Sequence, residues 1–275
     1  MTRRTRFAPL LALLPTPVLA VALPLAAQAQ TNVPGDPHAG DPVGIVADPC
    51  PQHAPPSDGQ GWQMWNLHML TRDFGQLCRY ARENRALLAS RKPVGVVFMG
   101  DSITDNWMNL ASGFWTEGRV DRGISGQTTP QMLVRFRQDV LELHPQAVHI
   151  MAGTNDIAGN TGAAMMETVE GNIETMAELA HAHGIKVILA SIPPAAAFPW
   201  SPGKQPSPQI RALNDWLSGY AKAHGYTYVN YYPALATPDG AMKPGYSSDG
   251  VHPTAQGYAV MAPLAKAAIT RTLGK

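Results

Sequence analysis

Ser102, Asn155, Asp249 and His252 are the residue types that acyl transfer requires. They lie in three short segments, Gly100-Asp101-Ser102-Ile103, Gly153-Thr154-Asn155-Asp156 and Asp249-Gly250-Val251-His252-Pro253. A serine hydroxyl is a poor nucleophile until a base takes its proton. His252 is the candidate base, and Asp249, in the same segment, is the candidate group to hold the imidazole and stabilise its charged form. Acyl transfer also needs donors aimed at the developing oxyanion. The candidate donors are the backbone N–H groups of Ser102 and Gly126, the latter in Gly123-Ile124-Ser125-Gly126, and the side-chain amide of Asn155. At Gly126 no side chain blocks close approach. A helix beginning behind Ser102 adds a favourable dipole. The chain contains no G-x-S-x-G, so the nucleophile elbow of the α/β-hydrolases is absent.

The elements that must position these groups follow from the hydrophobic pattern. Short runs at 94–99, 147–152, 185–191 and 226–230 read as strands, and 119–124, where charged residues interrupt the apolar ones, as a second, weaker strand, five in all. Between and after them, helices are expected over 104–111, 129–143, 163–183, 209–224 and 255–273. Pro130 suits a first turn, and Gly184 and Gly225 suit C-caps. Alternating strands and helices predict an α/β domain with a mostly parallel sheet covered on both faces. In such sheets the chemistry gathers at the carboxyl ends of the strands, and every candidate segment follows a strand or precedes the last helix. Residues 62–90 read as one further helix, with Trp62, Trp65, Leu67, Leu70, Phe74, Leu77 and Tyr80 on a packing stripe. In the Pro-rich loop 193–208, Phe198 and Trp200 are candidates either for walling the acyl pocket or for anchoring the loop.

Met99-Gly100-Asp101-Ser102-Ile103-Thr104 and the three later segments, in this order, resemble the four blocks of the SGNH hydrolases, also called the GDSL esterase/lipase family. Within the family the chain is most similar to bacterial members resembling the catalytic subunits of platelet-activating-factor acetylhydrolase. The resemblance implies a flavodoxin-like three-layer α/β/α sandwich and a Ser102-His252-Asp249 triad. It also implies an oxyanion hole from Ser102, Gly126 and Asn155, and no metal or organic cofactor. The expected substrate is a small ester or an acylated carbohydrate, with short acyl groups, acetyl first, ahead of the longer chains of a lysophospholipase or thioesterase. A non-catalytic ligand-binding module on the same fold would be marked by loss of Ser102, Asp249 or His252, and all are present. A flavodoxin-like nucleotide binder is disfavoured, because Asp101 is electrostatically wrong for a phosphate loop.

Composition bounds the rest. Arg3, Arg4 and Arg6 precede an uncharged apolar stretch, and Ala27-Gln28-Ala29 has the small-x-small form of a cleavage site. Residues 1–29 are therefore expected to be a signal peptide, which predicts a periplasmic or secreted protein. Pro9, Pro15, Pro17 and Pro24 argue against a stable membrane-spanning helix. Residues 30–60 read as a Pro/Gly-rich arm and residues 61–275 as the hydrolase domain with its N-terminal helix. Without the three leader arginines, 18 basic residues face 20 acidic ones, and no basic stripe points to nucleic acid. Cys50 and Cys78 are the only cysteines, and in an exported chain a disulfide between them is the favoured reading over two buried thiols.

Overall fold

The computed structural model describes residues 44–47, 49–50, 67, 69–116 and 118–274. The leader at 1–29, most of the arm at 30–60, and Trp62 and Trp65 lie outside the described residues.

Five strands, β1 (Val96–Gly100), β2 (Arg119–Gly123), β3 (Ala147–Met151), β4 (Lys186–Ala190) and β5 (Thr227–Val229), form one parallel sheet in the order β2-β1-β3-β4-β5. This is the flavodoxin-like order, whose direction reverses between β1 and β3. Val96, Val97, Phe98 and Met99 are all buried, as a central parallel strand covered on both faces requires. Gly100 pairs in register with Gly123 of β2 and Met151 of β3. The three strands therefore end level, and the segments that follow them start from one rim.

Helices α1 (Ala81–Ser90), α2 (Ser102–Leu110), α3 (Thr129–Asp139), α4 (Thr154–Ala158), α5 (Met166–Ala182), α6 (Ser207–His224), α7 (Tyr232–Leu235) and α8 (Ala255–Leu273), with short 3-10 helices at Ser112–Phe114 and Leu141–Leu143 and a helical stretch at 69–71, complete the described elements. α2 and α8 pack together against one face of the sheet, while α3 packs against α1 and α5 on the other. On the α2 side, Trp107 stacks between Phe114, at 4.6 Å, and Tyr258 of α8, at 5.2 Å between ring centroids. The Tyr258 hydroxyl donates to the Ile103 carbonyl at 2.8 Å, tying α8 to the first turn of α2.

The opposite layer is fixed by a buried polar network. Arg135 of α3 is fully buried; its guanidinium donates to the Gly100 carbonyl at 3.0 Å, the Arg122 carbonyl at 2.9 Å, Gln127 Oε1 at 2.6 Å and Asp139 Oδ2 at 3.0 Å. Asn84 of α1 donates to Asp139 Oδ1 at 2.7 Å and accepts from the Arg122 guanidinium at 2.6 and 2.9 Å.

The continuous helix expected over 62–90 is interrupted. Residues 72–80 form turns, and the helix resumes only at Ala81. The Asp73 carboxylate accepts from the Leu77 amide at 2.9 Å, and Gln76 takes a left-handed φ of 50°. A short polar side chain that captures a nearby amide competes with the helix ladder, and the Asp73-Phe74-Gly75 sequence lets it win. Its apolar stripe is correspondingly split: Tyr80 is buried, whereas Leu70, Phe74 and Leu77 are exposed. The interrupted segment is stitched to α3, since Gln131 donates to the Phe74 carbonyl at 3.0 Å and Gln138 to the Leu77 carbonyl at 2.6 Å. Cys78, in the same segment, is disulfide-bonded to Cys50, with 5.2 Å between their Cα atoms.

Truncating Arg135 leaves Asp139 as a buried charge without its partner. Arg135→Leu is expected to lower unfolding free energy in urea by about 3–5 kcal/mol. A loss under about 1 kcal/mol would show that the network does not carry the packing of α3 on β1 and β2.

Candidate active site

The Ser102 segment is built by a close approach. A Cβ on Gly100 would sit 2.1 Å from Thr104 Oγ1 and 3.1 Å from the Met151 carbonyl, so only glycine lets the strand turn this tightly into α2. Asp101 then caps the helix, its carboxylate accepting from the Ile103 amide at 2.9 Å. Ser102 opens α2, so its own N–H is among those a helix leaves without an intrahelical acceptor. The Asp249–His252 segment enters from the other side, just ahead of α8, which Tyr258 holds against α2.

These two elements bring Ser102 Oγ to 2.9 Å from His252 Nε2. His252 Nδ1 lies 2.6 Å from Asp249 Oδ2, while Asp249 Oδ1 accepts from the amides of Val251 at 2.9 Å and His252 at 2.8 Å and from the Ser247 hydroxyl at 3.0 Å. Partial burial opposes ionisation of Asp249, but the hydrogen bonds from His252 and the two amides outweigh it and bring its carboxyl down to about 2. An ionised Asp249 fixes the proton on Nδ1 and leaves Nε2 free to accept one from Ser102.

Gly126 and Asn155 face the same space. Gly126 has a φ of 82°, a conformation side chains disfavour, and the loop before it is pinned by Ser125, whose amide and hydroxyl donate to Asp105 Oδ2 at 3.1 and 2.7 Å. Asn155 is buried in α4, lines the cavity, and its amide nitrogen donates to the Gln127 carbonyl at 3.0 Å. That cavity, of about 700 Å³, also takes Ser102, His252, Met69, Thr161 and Trp200 into its walls. Trp200 is 41% exposed, its ring centroid 5.7 Å from that of His252. Phe198, paired with it at the sequence level, does not line the cavity; it is fully buried and supports Trp200 from behind, with 5.2 Å between ring centroids.

Sequence reasoning passed over three residues here. Met69 comes from the segment that precedes the hydrolase blocks. Gln127 belongs to the run Gly126-Gln127-Thr128 and connects Arg135 to the loop of Gly126. Asn160 sits in Gly159-Asn160-Thr161-Gly162, a composition that reads as an ordinary turn. Among the described residues no group of three or more His, Cys, Asp or Glu side chains is placed to hold a metal ion.

Residues 98–260 match the model of the GDSL-like lipase/acylhydrolase family. A crystal structure of a GDSL-like lipase from Bacteroides thetaiotaomicron superposes with a TM-score of 0.69 at 48% identity, covering 72% of this chain and 98% of that one. An acetylxylan esterase from Geobacillus stearothermophilus shares the fold at 18% identity, with a TM-score of 0.53 over 65% of this chain and 96% of that one. The uncharacterised lipoprotein YqeF of Bacillus subtilis is 29% identical over 148 residues, about half the length of either chain, 52% of each.

Burial raises the Asp101 carboxyl to about 6 from its ordinary 3.8, against the opposing pull of the Ile103 amide and of His252. Because the folded value lies above the unfolded one, this group's contribution to stability is full below about pH 4 and is lost as pH rises through about 6. Asp101→Asn keeps the amide-accepting oxygen and removes the titration. Between about pH 4 and 7, wild type should therefore lose on the order of 2–3 kcal/mol of unfolding free energy that the variant retains. Equal pH slopes in urea melts would contradict this.

Proposed function

The chain belongs to the GDSL-like lipase/acylhydrolase family, and from that premise we propose that it is an exported serine esterase that removes short acyl groups, acetyl above all, from small or carbohydrate esters. The observation that carries the reading is the run of contacts Ser102 Oγ to His252 Nε2, 2.9 Å, and His252 Nδ1 to Asp249 Oδ2, 2.6 Å, at the floor of a cavity that opens beside Gly126 and Asn155.

The reaction follows from this arrangement. His252 Nε2 takes the Ser102 proton as Oγ attacks the ester carbonyl, and Asp249 stabilises the imidazolium. The carbonyl oxygen becomes an oxyanion held by the Ser102 and Gly126 amides and by the free hydrogen of Asn155 Nδ2. Collapse expels the alcohol, which takes its proton from His252. Water, deprotonated by the same nitrogen, then releases the acid and regenerates Ser102.

The preference for a carbohydrate alcohol rests on the cavity walls. Asn106, Ser125, Thr161 and Ser201 line the cavity with polar groups, and Trp200 with a partly exposed aromatic ring. Such a mixture suits a ring with both hydroxyls and apolar C–H faces better than an alkyl chain. The structural likeness to an acetylxylan esterase agrees with it. Export is supported by the lipoprotein relative, by the Cys50–Cys78 disulfide, which suits an oxidising compartment, and by the leader-like residues 1–29.

Ser102→Ala should abolish hydrolysis of p-nitrophenyl acetate while leaving the thermal melt unchanged; full residual activity would sink the mechanism. Asn155→Ala should lower kcat about 100- to 1000-fold, and an unchanged kcat would remove it from the oxyanion hole. Across p-nitrophenyl esters, kcat/KM should fall from acetate to palmitate, with acetylated xylan deacetylated. A maximum at palmitate would instead identify a long-chain lipase.

A further inference from the structure

Asn160 stands where three parts of the site meet. Its Nδ2 donates to the Gly126 carbonyl at 3.0 Å and to Asn155 Oδ1 at 3.0 Å, and its Oδ1 accepts from the Trp200 indole N–H at 3.1 Å. Each contact has only one chemical polarity: a carbonyl oxygen only accepts and an indole N–H only donates. The amide of Asn160 is therefore fixed in a single orientation, with both hydrogens and its oxygen in use.

That orientation dictates the next one. Because Asn155 Oδ1 accepts from Asn160, Asn155 Nδ2 must face the other way, where it donates to Gln127 and leaves one hydrogen for the cavity. With its amide flipped, Asn155 would present a carbonyl oxygen to the oxyanion, turning attraction into repulsion. The same Asn160 side chain holds the carbonyl of Gly126, the other distal donor of the hole, in a conformation (φ of 82°) that needs holding.

We propose that Asn160 is a positioning residue that sets the polarity of the oxyanion hole, and that Trp200, through its indole N–H, couples this setting to occupation of the substrate cavity. The inference rests on the esterase reading above. Trp200 lies beside His252 and walls the cavity, so a substrate that orders this ring also orders Asn160 and, through it, both distal oxyanion donors. Trp200 thus acts on turnover through its N–H as well as on binding through its face.

The test measures p-nitrophenyl acetate hydrolysis by wild type, Ser102→Ala, Asn160→Ala, Trp200→Phe and the Asn160→Ala/Trp200→Phe double variant, with thermal melts of each. Asn160→Ala should lower kcat about 10- to 100-fold, less than deleting an oxyanion donor outright, with KM within about threefold. Trp200→Phe keeps an aromatic ring but removes the indole N–H together with the fused second ring, so loss of the N–H contact is read as a several-fold fall in kcat at unchanged KM. The double variant should be no slower than Asn160→Ala, because both substitutions break one chain of contacts. An Asn160→Ala kcat within twofold of wild type, a loss confined to KM, or multiplying effects in the double variant would overturn the proposal. If Asn160→Ala does not fold, Trp200→Phe decides alone: an unchanged kcat overturns the coupling, and a reduced kcat at unchanged KM supports it. An inactive wild type, or an active Ser102→Ala, would overturn the esterase reading itself, which keeps the two failures distinct.

Discussion

A guanidinium without solvent contact organises this molecule. Burial works against the charge on Arg135, yet arginine stays protonated in proteins, so its hydrogen bonds must be found inside. They are found at the carbonyl that ends β1 and at that of Arg122 near the end of β2, at Asp139 one turn along α3, and at the side chain of Gln127. Gly100 is two residues ahead of Ser102, Arg122 precedes the loop of Gly126, and the Gln127 carbonyl orients Asn155. One buried cation thus sets the relative height of the two strand ends from which the Ser102 segment and the Gly126 loop depart. Four hydrogen bonds are what make the cost of burying it tolerable, and they leave little freedom in the surrounding backbone.

The segment before the first strand belongs to the same construction. The family match begins at residue 98, yet Gln127 also donates to the Gly75 carbonyl at 3.1 Å and to Gln76 Oε1 at 3.3 Å. Tyr80 donates to the Gly123 carbonyl, and Asn84 completes the shell of Asp139 and Arg122. Met69 reaches the cavity wall. The Cys50–Cys78 disulfide joins a residue of the N-terminal arm to this segment. The extension is therefore a support laid under the Gly126 loop, and its polar stitching explains why it abandons the helix that its apolar spacing suggests.

Much of this was legible in one dimension. The five strands fall within a few residues of where the pattern puts them; β1 and β3, buried throughout, are nearly all apolar, whereas edge strand β2 carries Arg119, Asp121 and Arg122. Three of the four polar blocks stand at strand ends, and the fourth just ahead of α8, because glycine and short polar residues tolerate the turns there. Where residues act through partners far along the chain, the spacing was silent. Arg135 reads as one more charge on a surface helix, and only the absence of solvent around it reveals otherwise. The break at 72–80 hinges on one Asp73 side chain capturing an amide, a competition that periodicity does not register. Phe198 and Trp200 look alike in the Pro-rich loop, yet one is core and the other wall.

By itself the sequence determined the chemistry on offer: a serine after a buried strand, an aspartate and histidine at a spacing that lets them bond, and an amide and a glycine to receive negative charge. Side-chain type and local spacing suffice for that, because each block is only a few residues long. Tertiary structure decided the polarity and alignment of the site. The 150-position separation of Ser102 and His252 is closed to 2.9 Å by α8 docking on α2, and the Asn155 amide is oriented by Asn160 and Gln127, with Trp200 in turn bonded to Asn160. An amide has two faces of opposite sign, and only neighbours brought together by the fold can choose between them.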